Sequence, residues 1–178
     1  MSRVLAIDTS TARTSVAVIE GDTVIFSGYK DGATAHGPSL PALVQEALAV
    51  SDVDAVVVGM GPGPFTGLRV GIAFAQSFGL ARNIPVRGVC SLDAIAAQVI
   101  ESDFIVSVDA RRKEVYWARY TNGKRVSEPA VNFPADVTGA PVHANLFPDM
   151  AGLVKLTGNI TEPMYLRRPD AVATADRP

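Results

Sequence analysis

Apolar positions along this 178-residue chain fall into short blocks whose spacing changes from one segment to the next. Residues 4–7 form an unbroken apolar run, Val4-Leu5-Ala6-Ile7, which predicts a buried strand. The polar turn Asp8-Thr9-Ser10-Thr11 follows it. Residues 14–19 are rich in β-branched side chains and predict a second strand. Gly21-Asp22 marks a tight turn, and 24–29 predicts a third strand, so the chain opens with a β-meander. After a small, polar loop at 31–37, Leu40, Leu43, Val44, Ala47 and Leu48 recur at helical spacing and predict a helix over 39–50. The wholly apolar run 55–58 fits a strand inside a parallel or mixed sheet. A glycine- and proline-rich turn then leads into a helix over 68–82. A strand at 86–89, a helix over 92–100 capped by Ser91, and strands at 104–108 and 114–120 complete the patterned part.

One pattern recurs. Val4-Leu5-Ala6-Ile7-Asp8 and Ile105-Val106-Ser107-Val108-Asp109 each end in aspartate and lead, after a short turn, into another strand. The expected fold is therefore α/β, with two related lobes of mixed sheet and flanking helices. The first lobe spans 1–101 and the second, shortened, spans 102–178. Beyond Tyr120 the sequence is spaced by Pro129, Pro134, Pro141 and Pro148, leaving room for two further short strands and a short helix near 149–156. The small, polar tail after Pro169 is expected to be disordered.

Composition narrows the function. Hydrophobic residues make up 48% and charged residues 19%, as in an ordered globular chain. A net charge of −2 supplies no basic footprint for gripping nucleic acid unaided. The single cysteine, Cys90, cannot form an internal disulfide, which favours a reducing compartment. The first residues turn polar too early for a signal peptide, and no apolar run reaches the ~18 residues of a membrane span. A cytoplasmic protein with no membrane association is expected.

Two segments could carry chemistry. Asp8-Thr9-Ser10 could hold a metal-bound water and a phosphate, but such short polar turns more commonly close on themselves as Asx or ST turns. The segment from Gly61 to Gly71 joins a strand to a helix, where free N–H groups can meet an anion. It lacks the P-loop lysine, Pro62 and Pro64 remove two donors, and its glycine spacing misses the dinucleotide fingerprint. Its other reading is a rigid turn with Thr66 as helix cap. Nucleotide- or anion-binding candidates are thus Asp8, Thr9, Ser10, Gly63, Thr66 and Gly67, with Asp109 from the repeated turn. The helix that follows is apolar on nearly every side, with only Arg69, Gln76, Ser77 and Arg82 polar. That implies cover by another helix of the chain or, preferably, by a partner. Gly71, Ala75 and Gly79 recur every fourth position and permit close helix contact. His36 and His143 are isolated and expected at the surface. No His-x-x-x-His or Cys-x-x-Cys pattern exists, Ser10, Ser15 and Ser91 lack a nucleophile-elbow setting, and Cys90 is expected to be buried. No catalytic or metal-binding residue is assigned. The run Arg111-Arg112-Lys113-Glu114 fits a solvated hairpin turn, the other reading being contact with an acidic partner or a tRNA backbone.

The motif Val4 to Ser10, the long motif Gly61-Pro62-Gly63-Pro64-Phe65-Thr66-Gly67-Leu68-Arg69-Val70-Gly71, and Val108-Asp109-Ala110-Arg111 with Glu114-Val115-Tyr116 resemble the TsaB (YeaZ) family. The resemblance covers residues 1 to about 121 and returns at Met164-Tyr165-Leu166-Arg167-Arg168. It implies a degenerate, ribonuclease-H-like member of the actin, hexokinase and heat-shock ATPase fold. It also implies a non-catalytic scaffold in synthesis of threonylcarbamoyladenosine beside the tRNA anticodon. The implied partners are the catalytic relative TsaD in a direct heterodimer, TsaE, and functionally TsaC. Contact with tRNA would come only through the complex, and the chain alone would form a homodimer. ATP and a metal ion would belong to the partners, leaving no cofactor here. Pairing in the family runs through the helices that correspond to 39–50 and 68–82, which makes Leu40, Leu43, Val44, Ala47, Arg69, Val70, Ala73, Phe74 and Ser77 the interface candidates. The chain departs from the family in a shorter stretch between Tyr120 and Met164 and in lacking an evident phosphate-contacting glycine turn in the second lobe. The alternatives are an ATP-dependent kinase or hydrolase with Asp8 and Asp109 flanking the nucleotide, and a glycoprotease-like peptidase.

Overall fold

The computed structural model describes residues 2–167, so the tail after Pro169 lies outside the described residues. Five strands build the first sheet: β1 (Arg3–Asp8), β2 (Arg13–Glu20), β3 (Thr23–Asp31), β4 (Ala55–Gly59) and β5 (Val86–Val89). Their order is β3-β2-β1-β4-β5, antiparallel within the meander and parallel from β1 to β4 to β5. Strand β1 is central and covered on both faces, which is why its run is continuously apolar rather than alternating. Helices α1 (His36–Val50) and α2 (Phe65–Arg82) cover one face, where Leu5, Ile7, Val16 and Val58 meet Leu40, Leu43, Val44, Leu68 and Ile72. Helix α1 starts three residues earlier than predicted. Pro38 fits its first turn, where a backbone N–H would have no helical acceptor.

The second sheet holds β6 (Asp103–Asp109), β7 (Val115–Thr121), β8 (Lys124–Arg125), β9 (Ala130–Asn132) and β10 (Val142–His143). Here β6 and β7 are antiparallel, β8 and β9 both pair with β7, and β10 runs parallel to β6. The β6–β7 pair repeats β1–β2, and β10 stands to β6 as β4 stands to β1. The second copy is reduced, however. Where the first lobe has α1, the second has only a 3-10 turn at Pro134–Asp136.

Helix α3 (Ser91–Ala96) sits between the lobes. Its Leu92, Ile95 and Ala96 join the second core with Phe104, Val106 and Tyr120, while Ala94 faces the first sheet. It is shorter than the predicted 92–100.

The boundary near 101 separates the two sheets, but the chain then recrosses it. Helix α4 (Met150–Lys155) packs Met150 and Leu153 onto the free face of the first sheet, against Ala6, Ala17 and Val57. The Arg87 guanidinium donates to the carbonyls of Val154 at 3.0 Å and Gly158 at 3.3 Å, and also to that of Leu156. Ile160 N–H donates to Gly88 at 2.8 Å, and Met164 N–H to Met60 at 2.9 Å. Arg13 lies between the rings of Tyr29 and Phe147, at 3.9 and 3.8 Å, and ties the approach to α4 to the edge of the first sheet. Residues 149–164 thus pack on the first lobe, and Ile160 and Met164 touch the second core as well.

Candidate functional site

Parallel strands β1, β4 and β5 end side by side, and their carboxyl ends bring Asp8, the loop from Gly59 and Ser91 together. Asp8 is 1% exposed. Its Oδ1 accepts from the Ser10 N–H at 2.8 Å and the Ser10 hydroxyl at 2.7 Å, and its Oδ2 accepts from the Ser91 hydroxyl at 2.6 Å. Burial pushes the Asp8 carboxyl above its ordinary range, against the opposing pull of the Ser91 and Ser10 hydrogen bonds. The predicted Asx turn is therefore present, and it is closed. Ser91 does not cap α3. The helix begins at Ser91 itself, with Cys90 at the N-cap, and the hydroxyl is committed to Asp8.

The glycines of the β4–α2 segment fit against this turn. A Cβ on Gly63 would collide with the Ser10 carbonyl, one on Gly71 with the Thr9 hydroxyl, and one on Gly59 with the Asp8 carboxylate. At Gly67 it would stand 2.8 Å from the Thr9 carbonyl. The Thr9 hydroxyl in turn donates to the Gly67 carbonyl at 2.7 Å. The glycine run lets one loop lie directly on another. Thr66 is exposed in the first turn of α2, which has Pro64 at its N-cap and no side-chain cap, so the predicted capping role of Thr66 is corrected.

A cleft of about 630 Å³ opens between the lobes. Gly63, Thr66 and Gly67 line one wall, Asp109 and Arg111 the other, and Tyr165 and Arg167 also border it. Asp8, Thr9 and Ser10 lie beneath this surface rather than on it. The seven candidate residues thus divide, with four on the cleft and three buried under it. On the second-lobe wall the Arg111 N–H donates to Asp109 Oδ1 at 3.2 Å, the same two-residue reach as Ser10 to Asp8. Arg111, Arg112 and Lys113 all take left-handed backbone angles, with φ of 61°, 54° and 64°. Arg167 forms an ion pair with Glu114 and donates to the Ala110 carbonyl at 3.1 Å. Both Asp8 carboxylate oxygens accept hydrogen bonds under the loop. Among the described residues, no group of three or more His, Cys, Asp or Glu side chains could hold a metal ion.

The histidines are not the free surface residues expected. His36 is 5% exposed, with Nδ1 2.8 Å from the Thr14 hydroxyl. Burial holds its pKa below the ordinary value, opposed by the Asp8 charge and reinforced by that of Arg111. His143 sits half-buried on β10, paired with Glu101 at 3.2 Å and edge-on to Phe104. Cys90 is buried as expected, and burial pushes its thiol up to about 12.

The interface candidates also divide. Leu40, Leu43, Val44 and Ala47 are at most 2% exposed and belong to the chain's own core, so their place on a docking face is corrected. On α2, Leu68, Gly71, Ile72, Ala75 and Gly79 are buried. The small stripe faces Thr9 in the turn after β1 and Val86 of β5 rather than a partner helix. Arg69, Ala73 and Ser77 are exposed, and Val70 and Phe74 are half-buried. Leu80, on the same outer side, is 85% exposed. Sequence reasoning missed Ser91, His36 and Arg167. The position of Ser91 at the end of a strand parallel to β1 was the available signal.

Two related lobes with mixed sheets, facing across a cleft at the strand ends, define the actin-like ATPase fold class. Residues 31–166 match the family model described as TsaD: tRNA N6-adenosine threonylcarbamoyltransferase. An uncharacterised protein of Mycobacterium tuberculosis is 46% identical over 96% of this chain and 94% of its own length. The tRNA threonylcarbamoyladenosine biosynthesis protein TsaB of Escherichia coli is 35% identical over 66% of this chain, which spans 54% of that protein. A crystal structure from Pseudomonas aeruginosa, described as similar to peptidase YEAZ, superposes with a TM-score of 0.80 at 28% identity, covering 94% of this chain and 100% of its own. The chain belongs to the TsaB (YeaZ) family.

Proposed function

We propose that the chain is a non-catalytic scaffold in the synthesis of tRNA threonylcarbamoyladenosine, docking a TsaD-type catalytic relative on the outer face of α2. The observation that carries this reading is the division of that helix. One stripe is locked into the core, and the opposite side leaves Arg69, Ala73, Gln76, Ser77 and Leu80 exposed. Phe65 extends the same surface to the cleft rim and packs against Tyr165, with ring centroids 4.8 Å apart. A mixed face of small, apolar and polar side chains with an arginine among them has the make-up of a non-obligate protein interface. Family membership supports a TsaD-type partner. TsaD would form the direct heterodimer and TsaE would join it, with TsaC supplying the activated intermediate. A second copy would take the TsaD position when the chain is alone. Contact with tRNA would come through the assembled complex, in the cytoplasm.

The closed Asp8 turn supports a role without catalysis, since a carboxylate that already accepts three hydrogen bonds is poorly placed to order a metal-bound water. A peptidase reading finds a hydroxyl–imidazole contact at Thr14 and His36, but Thr14 is 0% exposed and out of a substrate's reach. Light scattering with a TsaD relative from the same organism tests the docking surface. Ala73→Glu should weaken the heterodimer by roughly a hundredfold while the variant remains folded. Unchanged affinity would rule out this surface. A charge at Leu43 is unsuitable for the purpose, because it would break the core.

A further inference from the structure

The chain crosses between the lobes more than once. It passes from β5 into the second sheet through α3 and returns to the first sheet through α4. These two crossings lie side by side. The Asp149 N–H donates to the Ala94 carbonyl at 3.4 Å, and a Cβ on Gly152 would stand 3.0 Å from the Ala97 side chain. Neither helix lines the cleft. Two adjacent attachments away from a cleft make a hinge on which lobes can turn, and a third attachment off that axis removes the freedom. Residues 159–167 have the geometry of such a third attachment. On the first lobe, the Asn159 side chain accepts from the Gly88 N–H at 3.1 Å, and the N–H groups of Ile160 and Met164 hold the carbonyls of Gly88 and Met60. On the second lobe, Met164 and Leu166 pack against the core. Arg167 then grips both ends of the β6–β7 turn, ion-paired with Glu114 and donating to the Ala110 carbonyl at 3.1 Å. Tyr165 and Arg167 border the cleft, away from α3 and α4.

We infer that residues 159–167 are an inter-lobe latch: the Arg167 clasp on the β6–β7 turn holds the two lobes at one opening, and its release lets them swing on the paired crossings at α3 and α4. The Arg167 and Glu114 side chains are 23% and 25% exposed, so their pairing is sheltered from solvent screening. The planar guanidinium serves a carboxylate and a carbonyl at once, which fixes direction as well as distance. The latch also reaches α2. Tyr165 packs on Phe65 with ring centroids 4.8 Å apart, and the Arg69 guanidinium lies 4.9 Å from the same Phe65 ring. The first turn of α2 is thereby joined to the second lobe.

Pulsed electron paramagnetic resonance on the full chain reads the opening, with nitroxides on Gln45→Cys in α1 and Ala135→Cys in the 3-10 turn of the second lobe, both exposed positions. Cys90 is buried and stays unlabelled. With the latch intact, one narrow distance distribution is expected. Arg167→Glu sets a like charge beside Glu114 and should broaden it. Combining Arg167→Glu with Glu114→Arg should narrow it again, a rescue that a general loss of packing would not show. Tyr165→Ala should broaden it to a smaller extent. A broad distribution with the latch intact, an unchanged one in Arg167→Glu, or one that the charge exchange leaves broad overturns the inference. No partner protein enters the measurement, so its outcome is independent of the docking reading.

Discussion

In the first lobe, Asp8 closes β1 and takes the Ser10 N–H at 2.8 Å; in the second, Asp109 closes β6 and takes the Arg111 N–H at 3.2 Å. The local device is the same, and the surroundings are opposite. Asp8 lies under the β4–α2 loop with Ser91 on its second oxygen. Asp109 is exposed on the cleft wall. The cause is the connection that leaves the matching parallel strand. After β4 the chain makes a glycine-rich loop and α2, which cover the first turn. After the two residues of β10 it leaves for α4 and the first sheet, so no equivalent loop covers the second turn. An aspartate at a strand end can thus become packing or remain available to a ligand, depending on what is laid over it.

Substitutions should separate the two turns sharply. Gly63→Ala should have the largest effect, destabilising by about 3 kcal/mol in urea denaturation, because the new methyl meets Ser10 backbone rather than a movable side chain. A loss below about 0.5 kcal/mol would mean that the loop does not lie on the turn. Ser91→Ala should cost about 2 kcal/mol by leaving one buried Asp8 oxygen without its donor.

The same burial sets a pH dependence. The folded pKa of Asp8 is raised above its ordinary 3.8, so its contribution to stability is full below about that pH and is lost as pH rises through the folded value. Asp8→Asn should therefore gain on the wild type between acid and neutral pH, and parallel stability curves would contradict the raised value. The counterpart Asp109→Asn should change stability by less than about 0.5 kcal/mol, since the carboxylate is exposed and asparagine can accept the same N–H.

Much of this architecture is legible in the chain. Strands β1 to β7 fall within two residues of their predicted bounds, because each is an apolar or alternating run stopped by a turn. The repeated Asp turn points correctly to two related lobes. The site is less legible. Helical spacing shows that Leu40, Leu43, Val44 and Ala47 share a face, but not whether a sheet or a second protein covers it. The stripe Gly71, Ala75 and Gly79 is equally silent about its neighbour. Ser91 reaches Asp8 across 83 positions, and that pairing exists only once β1, β4 and β5 are laid in order. His36 is buried by a bond to Thr14 on another element, and a lone histidine in a polar loop carries no mark of that. The return of α4 to the first sheet is hidden as well, because a six-residue helix has too little periodicity to reveal which sheet it covers.

Docking is thus proposed for the outer face of α2 and a packing role for Asp8. Formation of threonylcarbamoyladenosine on tRNA by the chain reconstituted with TsaD, TsaE and TsaC relatives tests this most directly, comparing Asp8→Asn with Ala73→Glu. Near wild-type product is expected with Asp8→Asn, and loss of product with Ala73→Glu. Loss with Asp8→Asn, with Ala73→Glu still active, would contradict the assignment.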